Sequence, residues 1–402
     1  MEIPSCYADG YEKARKVDPV LARLYIRHTT VGDPAADAVI DEMAGVSSPA
    51  RVHRIISAAL ENYHDMPSSG DGVPGHIPDA LQNLIADAAV VPGWYDPKIS
   101  RVATRAFLNN SDMVLGALVG GAIIEGFSTL ISKSFRIRSR IMTNGVRRLK
   151  QNLLQLVEQY LPGGIEPGGD GWKLSLRIRL VHAQVRRMLR DFDGTTDVWD
   201  QSVHGLPLHA SHMLLGASAF SARLMQHVST LGGDLSDRDV EAYVHVWRYT
   251  GHLMGVPDEI LFRDFESAVR WFEIGSLCEP PPDEDGIIMA NSIINSAPIV
   301  LGFTEPEERR AMARYLYQVS RELIGDSLAD DLNYPPGRWK KEIPRLRLRN
   351  FGDRILRRFG SVLSKRRSRQ RFTDMLNVSD LGGYEHSYRL PTSVFEEDSD
   401  EW

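Results

Sequence analysis

Through most of the chain, apolar side chains recur at the three- and four-residue spacing of amphipathic helices, and no run alternates well enough to predict a strand. The clearest case is residues 173–190, where Leu174, Ile178, Val181, Val185 and Met188 form one stripe. The same periodicity predicts helices over 12–25, 48–63, about 98–108, about 145–160 and about 208–230. Ser236 and Asp239 have the spacing of a capping box, and they open a helix that runs to about Met254 with Val240, Tyr243, Val244, Trp247 and Gly251 on one face. Thr304 reads as the cap of a later helix with Pro306 in its first turn. The run 113–124 (MVLGALVGGAII) is too short to cross a bilayer and reads as a buried, glycine-rich core helix. Gly, Pro and polar clusters break the pattern at 66–78, 161–171, 191–207, 279–285 and 334–337, the segment 279–285 reading as a linker or surface loop. No fixed-period repeat is present. The expected fold is therefore all-α: a helical extension over 1–85, a main domain over 86–330, then basic helices and an acidic tail over 331–402.

Composition narrows the class. The chain has 402 residues, 43% hydrophobic and 25% charged, as in globular proteins able to bury a large core. The net charge of −6 hides an asymmetry: residues 133–190 carry thirteen Lys/Arg against three acids. Without a CxxC framework or a Gly-aromatic RNA-binding signature, this excess points to a solvated face or an anionic cofactor rather than nucleic acid. Two cysteines, Cys6 and Cys278, favour a reducing compartment, and the N-terminal stretch has no apolar signal core, so the expected location is cytoplasmic. The 113–124 helix leaves peripheral contact with a membrane open.

The candidate chemistry centres on His182, at the edge of the stripe, with Arg179 and Arg186 three and four residues away. It reads either as a half-buried histidine on a basic helix or as the contact to a porphyrin, whose iron takes imidazole and whose propionates take guanidinium. His209 and His212 are three apart and His245 and His252 seven apart. Either pair could contribute to a metal site, but neither has a third ligand at a readable spacing. One Glu-x-x-His pair, Glu61–His64, is too few for a di-iron centre. Glu125, at the end of the apolar helix, reads as a base in a greasy pocket with a raised pKa, or as the point where the helix meets water. Hydrolase, metalloprotease, P-loop and dinucleotide-binding motifs are absent.

Five stretches taken together, PGWYDP (92–97), NGVRRLKQN (144–152), LRIRLVHAQVRRMLR (176–190), WDQSVHGLPLHASHML (199–214) and VEAYVHVWRYTGHLMGVPDEIL (240–261), resemble the family of latex-clearing rubber oxygenases and the oxygenase of the mycophenolic acid pathway. The resemblance implies a globin-reminiscent helical bundle holding haem b, and O2-dependent cleavage of a carbon–carbon double bond in an isoprenoid chain. It makes His182 the proximal iron ligand and Arg148 an arginine that shapes the haem site. Asn152 stands where the family has Thr, and Gln151 where the rubber oxygenases have a lysine that closes over the distal side. The family's glutamate base has no counterpart at the expected spacing, Glu125 lying about two turns early. The expected cavity walls are the apolar helix, with Gly116, Gly120 and Gly121 letting a flat ring approach, and the Trp247 helix. Arg179 and Arg186 are the expected propionate contacts. Two other readings stay open: a haem- or lipid-binding protein without turnover, and an interaction protein whose central helices are only structural.

Overall fold

A computed structural model describes residues 2–44, 49–63, 77–135, 141–190, 199–337 and 342–348. Among these residues there are only helices and connecting loops. Residues 66–76 of the expected 66–78 loop, 191–198 of the expected 191–207 loop, the basic segment beyond residue 348 and the acidic tail lie outside the described residues, as does His64. Within 199–207 a short helix, Gln201–His204, stands where the sequence reads as a loop, capped by the Asp200 carboxylate.

Local chemistry sets the helix boundaries. The 12–25 periodicity resolves into two helices, Ala8–Val17 and Pro19–Arg27, because Pro19 cannot continue the first. Asp18 caps the second, its carboxylate accepting the backbone N–H groups of Val20 and Leu21. The helix expected from 208 starts at Ala210 instead, since Leu208 takes a left-handed backbone and His209 becomes the N-cap. Ser236 and Asp239 do form a reciprocal capping box on Asp237–Leu253. At the start of Pro306–Ile324, Glu305 rather than Thr304 is the N-cap, with Pro306 at the first helical position and no side-chain cap bond. Within the expected linker 279–285 only residues 279–283 are non-helical, joining Phe265–Cys278 to Glu284–Val300, and Glu279 is buried.

The histidine helix, Asp170–Arg190, is central. It packs against Pro34–Met43, Ile141–Tyr160 and Asp237–Leu253. Behind these, Glu284–Val300 lies on Ile141–Tyr160, and Pro97–Asn109 lies on Asp237–Leu253. One contiguous core runs from Tyr7 to Ile343, so the helices before residue 85 share their buried surface with those after it. Two helices each contain a π-helical segment, Leu118–Ala122 and Ala219–Arg223, and these two segments touch. Among the described residues no single helix is long and apolar enough to cross a membrane. Pro97–Asn109 and Ser111–Phe127 meet the length and composition test only as a pair, bent by 84°. Val114, Leu118, Ile123 and Ile124 of that pair are spent on the protein core.

The basic helix finds its counter-charges in the N-terminal section. Arg179 holds Asp33 through two bonds of 2.6 and 2.9 Å, and Arg186 holds Asp37 through bonds of 2.6 and 2.9 Å. Arg187 and Arg190 face Asp41 at 3.6 and 3.9 Å, and Lys173 pairs with Glu61. Asp33, Asp37 and Asp41 recur every fourth residue, so their shared helix face runs alongside the arginines of the histidine helix.

Candidate functional site

Five helical segments enclose one cavity of about 840 Å3 of empty space, its open mouth included. Ile141–Tyr160 contributes Arg148, Gln151, Asn152 and Gln155, which share one face by their 3, 4 and 7 spacing. The histidine helix contributes Ile178 and His182. The remaining wall is mostly apolar: Ile123 and Phe127, Met213 and Phe220, and Trp247 and Met254. Among the described residues of the lining, Arg148 is the one lysine, arginine or acid.

The cavity thus brings together His182, Arg148, Gln151 and Asn152, which the sequence places on two separate helices. Arg148 donates to Gln151 Oε1 at 3.4 Å, and Asn152 donates to the Arg148 carbonyl at 2.7 Å, so the three are braced along one turn. His182 is part-exposed, and it lines the cavity. Its Nδ1 is buried without a hydrogen-bond partner. Burial, with Arg186 and Arg148 nearby, pushes its pKa down to about 3, so the ring is neutral near pH 7 and keeps a lone pair for a ligand.

Other expected site residues lie elsewhere. Arg179 and Arg186 do not line the cavity: their guanidinium groups are committed to Asp33 and Asp37, and also donate to the carbonyls of Leu253 and Leu208. Partners supplied from residues 33 and 37 could not be read from the local spacing of the histidine helix. Glu125 does not open into the cavity, and it does not meet water at a helix end. It is 8% exposed, outside the lining, and takes three bonds of 2.7–3.0 Å from Arg223 and one of 2.9 Å from His227. Burial alone would raise its pKa, but His227 and Arg223 outweigh that and hold it below the ordinary value.

The expected glycines are also displaced. None of the three lines the cavity: a Cβ on Gly121 would lie 2.5 Å from the His227 ring, so that glycine permits a close helix contact, while a Cβ on Gly120 or Gly116 would make ordinary contact with Leu323 at 3.4 Å or Leu231 at 3.7 Å. Gly126, Gly216 and Gly251 line the cavity instead, and a Cβ on Gly126 or Gly216 would meet nothing within 4 Å. Gln155 was also missed, though it completes the helix face begun by Arg148. Of the paired histidines, His245 accepts the Asp96 backbone N–H at 3.1 Å and His252 faces Asp258 at 3.7 Å, both outside the lining. His209 and His212 are fully buried, and His212 reaches the cavity.

Comparison with known proteins converges on one family. Residues 104–360 match the model of the "ER-bound oxygenase mpaB/B'/Rubber oxygenase, catalytic domain". The chain is 25% identical over 244 residues to the rubber oxygenase of Streptomyces sp. (strain K30), which covers 59% of this chain and 55% of that protein, so the match spans about half the relative's length. The fold is similar to the structure of latex clearing protein in its closed state, with a TM-score of 0.60 and 17% identity, over 87% of this chain and 91% of the other.

Proposed function

Because the chain belongs to the mpaB and rubber oxygenase catalytic-domain family, we propose that it is a haem-b-dependent oxygenase that oxidises or cleaves an apolar, isoprenoid-like alkene with O2. The observation that carries this reading is a neutral imidazole, His182, lining an apolar cavity with its Nδ1 unpaired by protein. The donor set fits the group. His182 would hold the iron, and Arg148 is the lining cation suited to a propionate. When bound, the haem supplies O2 binding and the redox chemistry that carbon-bond cleavage needs.

The chain's own side chains do the rest. Ile123, Phe127, Phe220 and Trp247 favour an alkene over water and keep the space dry. Open sides at Gly126 and Gly216 leave room for a ligand to approach the backbone. Gln151, standing where the rubber oxygenases have lysine, offers an amide that donates or accepts but does not compete strongly for iron. In this reading no protein base is taken from Glu125, whose carboxylate is fully engaged. The test is a Soret band in the purified protein, followed by O2 consumption and carbonyl products with a detergent-dispersed isoprenoid alkene. A haem-loaded protein inert towards every apolar alkene would favour binding without turnover. A protein that takes up no haem would overturn the proposal.

A further inference from the structure

The cavity face of Ile141–Tyr160 does not end at Gln155. Gln159 follows four residues later, on the same side of the helix as Arg148, Gln151, Asn152 and Gln155. Gln151, Gln155 and Gln159 are all buried. Asp237–Leu253 meets this helix here. Tyr160 Oη donates to the Tyr243 carbonyl at 2.9 Å, the two rings stack at 4.4 Å, and Gln155 Nε2 lies 3.5 Å from Met254 Sδ. Trp247 lines the cavity, and Tyr243 stands one turn away on the same face. The first turn of the histidine helix closes over this end: a Cβ on Gly171 would lie 2.9 Å from Gln159 Cα.

The anomaly is in the hydrogen bonds. Among the described residues neither Nε2 nor Oε1 of Gln159 has a partner, although the residue is 2% exposed. The thioether that receives the Gln155 amide is a weak acceptor. Trp247 Nε1 and Tyr243 Oη lie near each other without forming a bond, and neither has another partner. The same kinds of group are satisfied elsewhere in the core. Trp172 Nε1 donates to the Ala88 carbonyl at 3.2 Å, and the buried Asn110 amide bonds to the backbone of Ala106 and Asp234. Buried polar groups without partners are rare, and several of them beside one cavity mark where the polar atoms of a ligand belong.

We propose that this end of the cavity, formed by Gln155, Gln159 and Trp247, binds an uncharged, oxygen-bearing head group, so that the ligand is an isoprenoid alcohol, aldehyde or ketone rather than a hydrocarbon. The proposal rests on the reading of the cavity as an isoprenoid site and names the substrate class within it. The amides and the indole present N–H donors, which match a hydroxyl or carbonyl oxygen and which a hydrocarbon would leave unpaired. The lining's one cation of the Lys/Arg type, Arg148, sits seven residues before Gln155, roughly 10 Å along the helix axis. An ionised carboxylate or phosphate head at this end would be buried without a counter-charge, which disfavours it strongly. Ile123, Phe127 and Phe220 take the hydrocarbon tail.

The test reads binding, not turnover, on the full chain as purified. Farnesol, farnesal, farnesoate and the hydrocarbon farnesene are presented in the same detergent micelles and titrated by calorimetry. Farnesol and farnesal should bind more than about 10-fold tighter than farnesene or farnesoate. In Gln155→Leu and Gln159→Leu that preference should fall below about 3-fold. Each removes an amide without a strong protein partner, so both should fold with a Tm no lower than wild type. If either does not fold, Trp247→Phe, which removes the indole N–H, reads the same ratio. Equal affinity for farnesol and farnesene overturns the inference and leaves the isoprenoid cavity standing, whereas binding of none of the four overturns that reading as well. Tightest binding of farnesoate overturns the uncharged head. A preference that is unchanged in both folded variants, with a lowered Tm, makes the amides part of a water-linked structural network and overturns the inference too.

Discussion

Glu125→Gln separates two roles for the one acid at the end of the apolar helix. The carboxylate takes three bonds from Arg223 and one from His227, and is 7% exposed at its side chain. Removing one partner of a buried pair costs about 3–5 kcal/mol. Arg223 is 26% exposed and can rehydrate, and glutamine keeps one acceptor, so the lower end, about 3 kcal/mol, is expected. With an unfolding entropy near 2.1 cal/mol/K per residue, 402 residues convert that into a Tm about 4 °C lower. Urea unfolding followed by circular dichroism should show an earlier midpoint with an unchanged slope. The pH dependence has a definite sign. Because the folded pKa of Glu125 lies below its unfolded value, its contribution is complete above the unfolded pKa and is lost as pH falls through the folded one. The variant should therefore lose stability at neutral pH and be less sensitive to acid than the wild type. Per haem bound, its oxygenase activity should be close to wild type. Unchanged stability combined with abolished turnover would refute the structural role and make Glu125 a base.

Two other perturbations follow from the packing. Gly126→Ala should stabilise by roughly 0.5–1 kcal/mol, since its Cβ meets only open space in a helix, whereas Gly121→Ala, with His227 at 2.5 Å, should destabilise; equal Tm shifts would contradict the assignment of cavity and contact glycines. Asp37→Asn leaves Arg186, 4% exposed, without its carboxylate and should cost about 3 kcal/mol in urea unfolding, while Asp41→Asn on the exposed neighbouring pairs should cost less than about 1 kcal/mol.

The helices were legible because their stripes are local and strong. The histidine helix, the capping box at Ser236 and the breaks at proline can all be read within a few residues. Arg148, Gln151 and Asn152, by contrast, came from the family resemblance and not from periodicity, and the structure puts them on the cavity face of Ile141–Tyr160. What was not legible depended on partners far along the chain. Arg179 and Arg186 look available on their own helix, and only the distant Asp33 and Asp37 take them out of the site. Glu125 looks isolated until Arg223 and His227 close over it. A run of glycines marks close approach but not what approaches: at Gly121 it is a histidine ring. Glu279, which lies 3.3 Å from His212, is too far along the chain for any spacing rule to find.

The central claim is that His182 holds haem iron, and the absorption spectrum of His182→Ala beside wild type tests it most directly. Wild type reconstituted with haem should show a Soret band at one equivalent per chain, and the variant, with unchanged circular dichroism, should lose both the band and the stoichiometry. A folded variant that keeps full haem occupancy and the wild-type spectrum would place the iron on another residue and contradict the account.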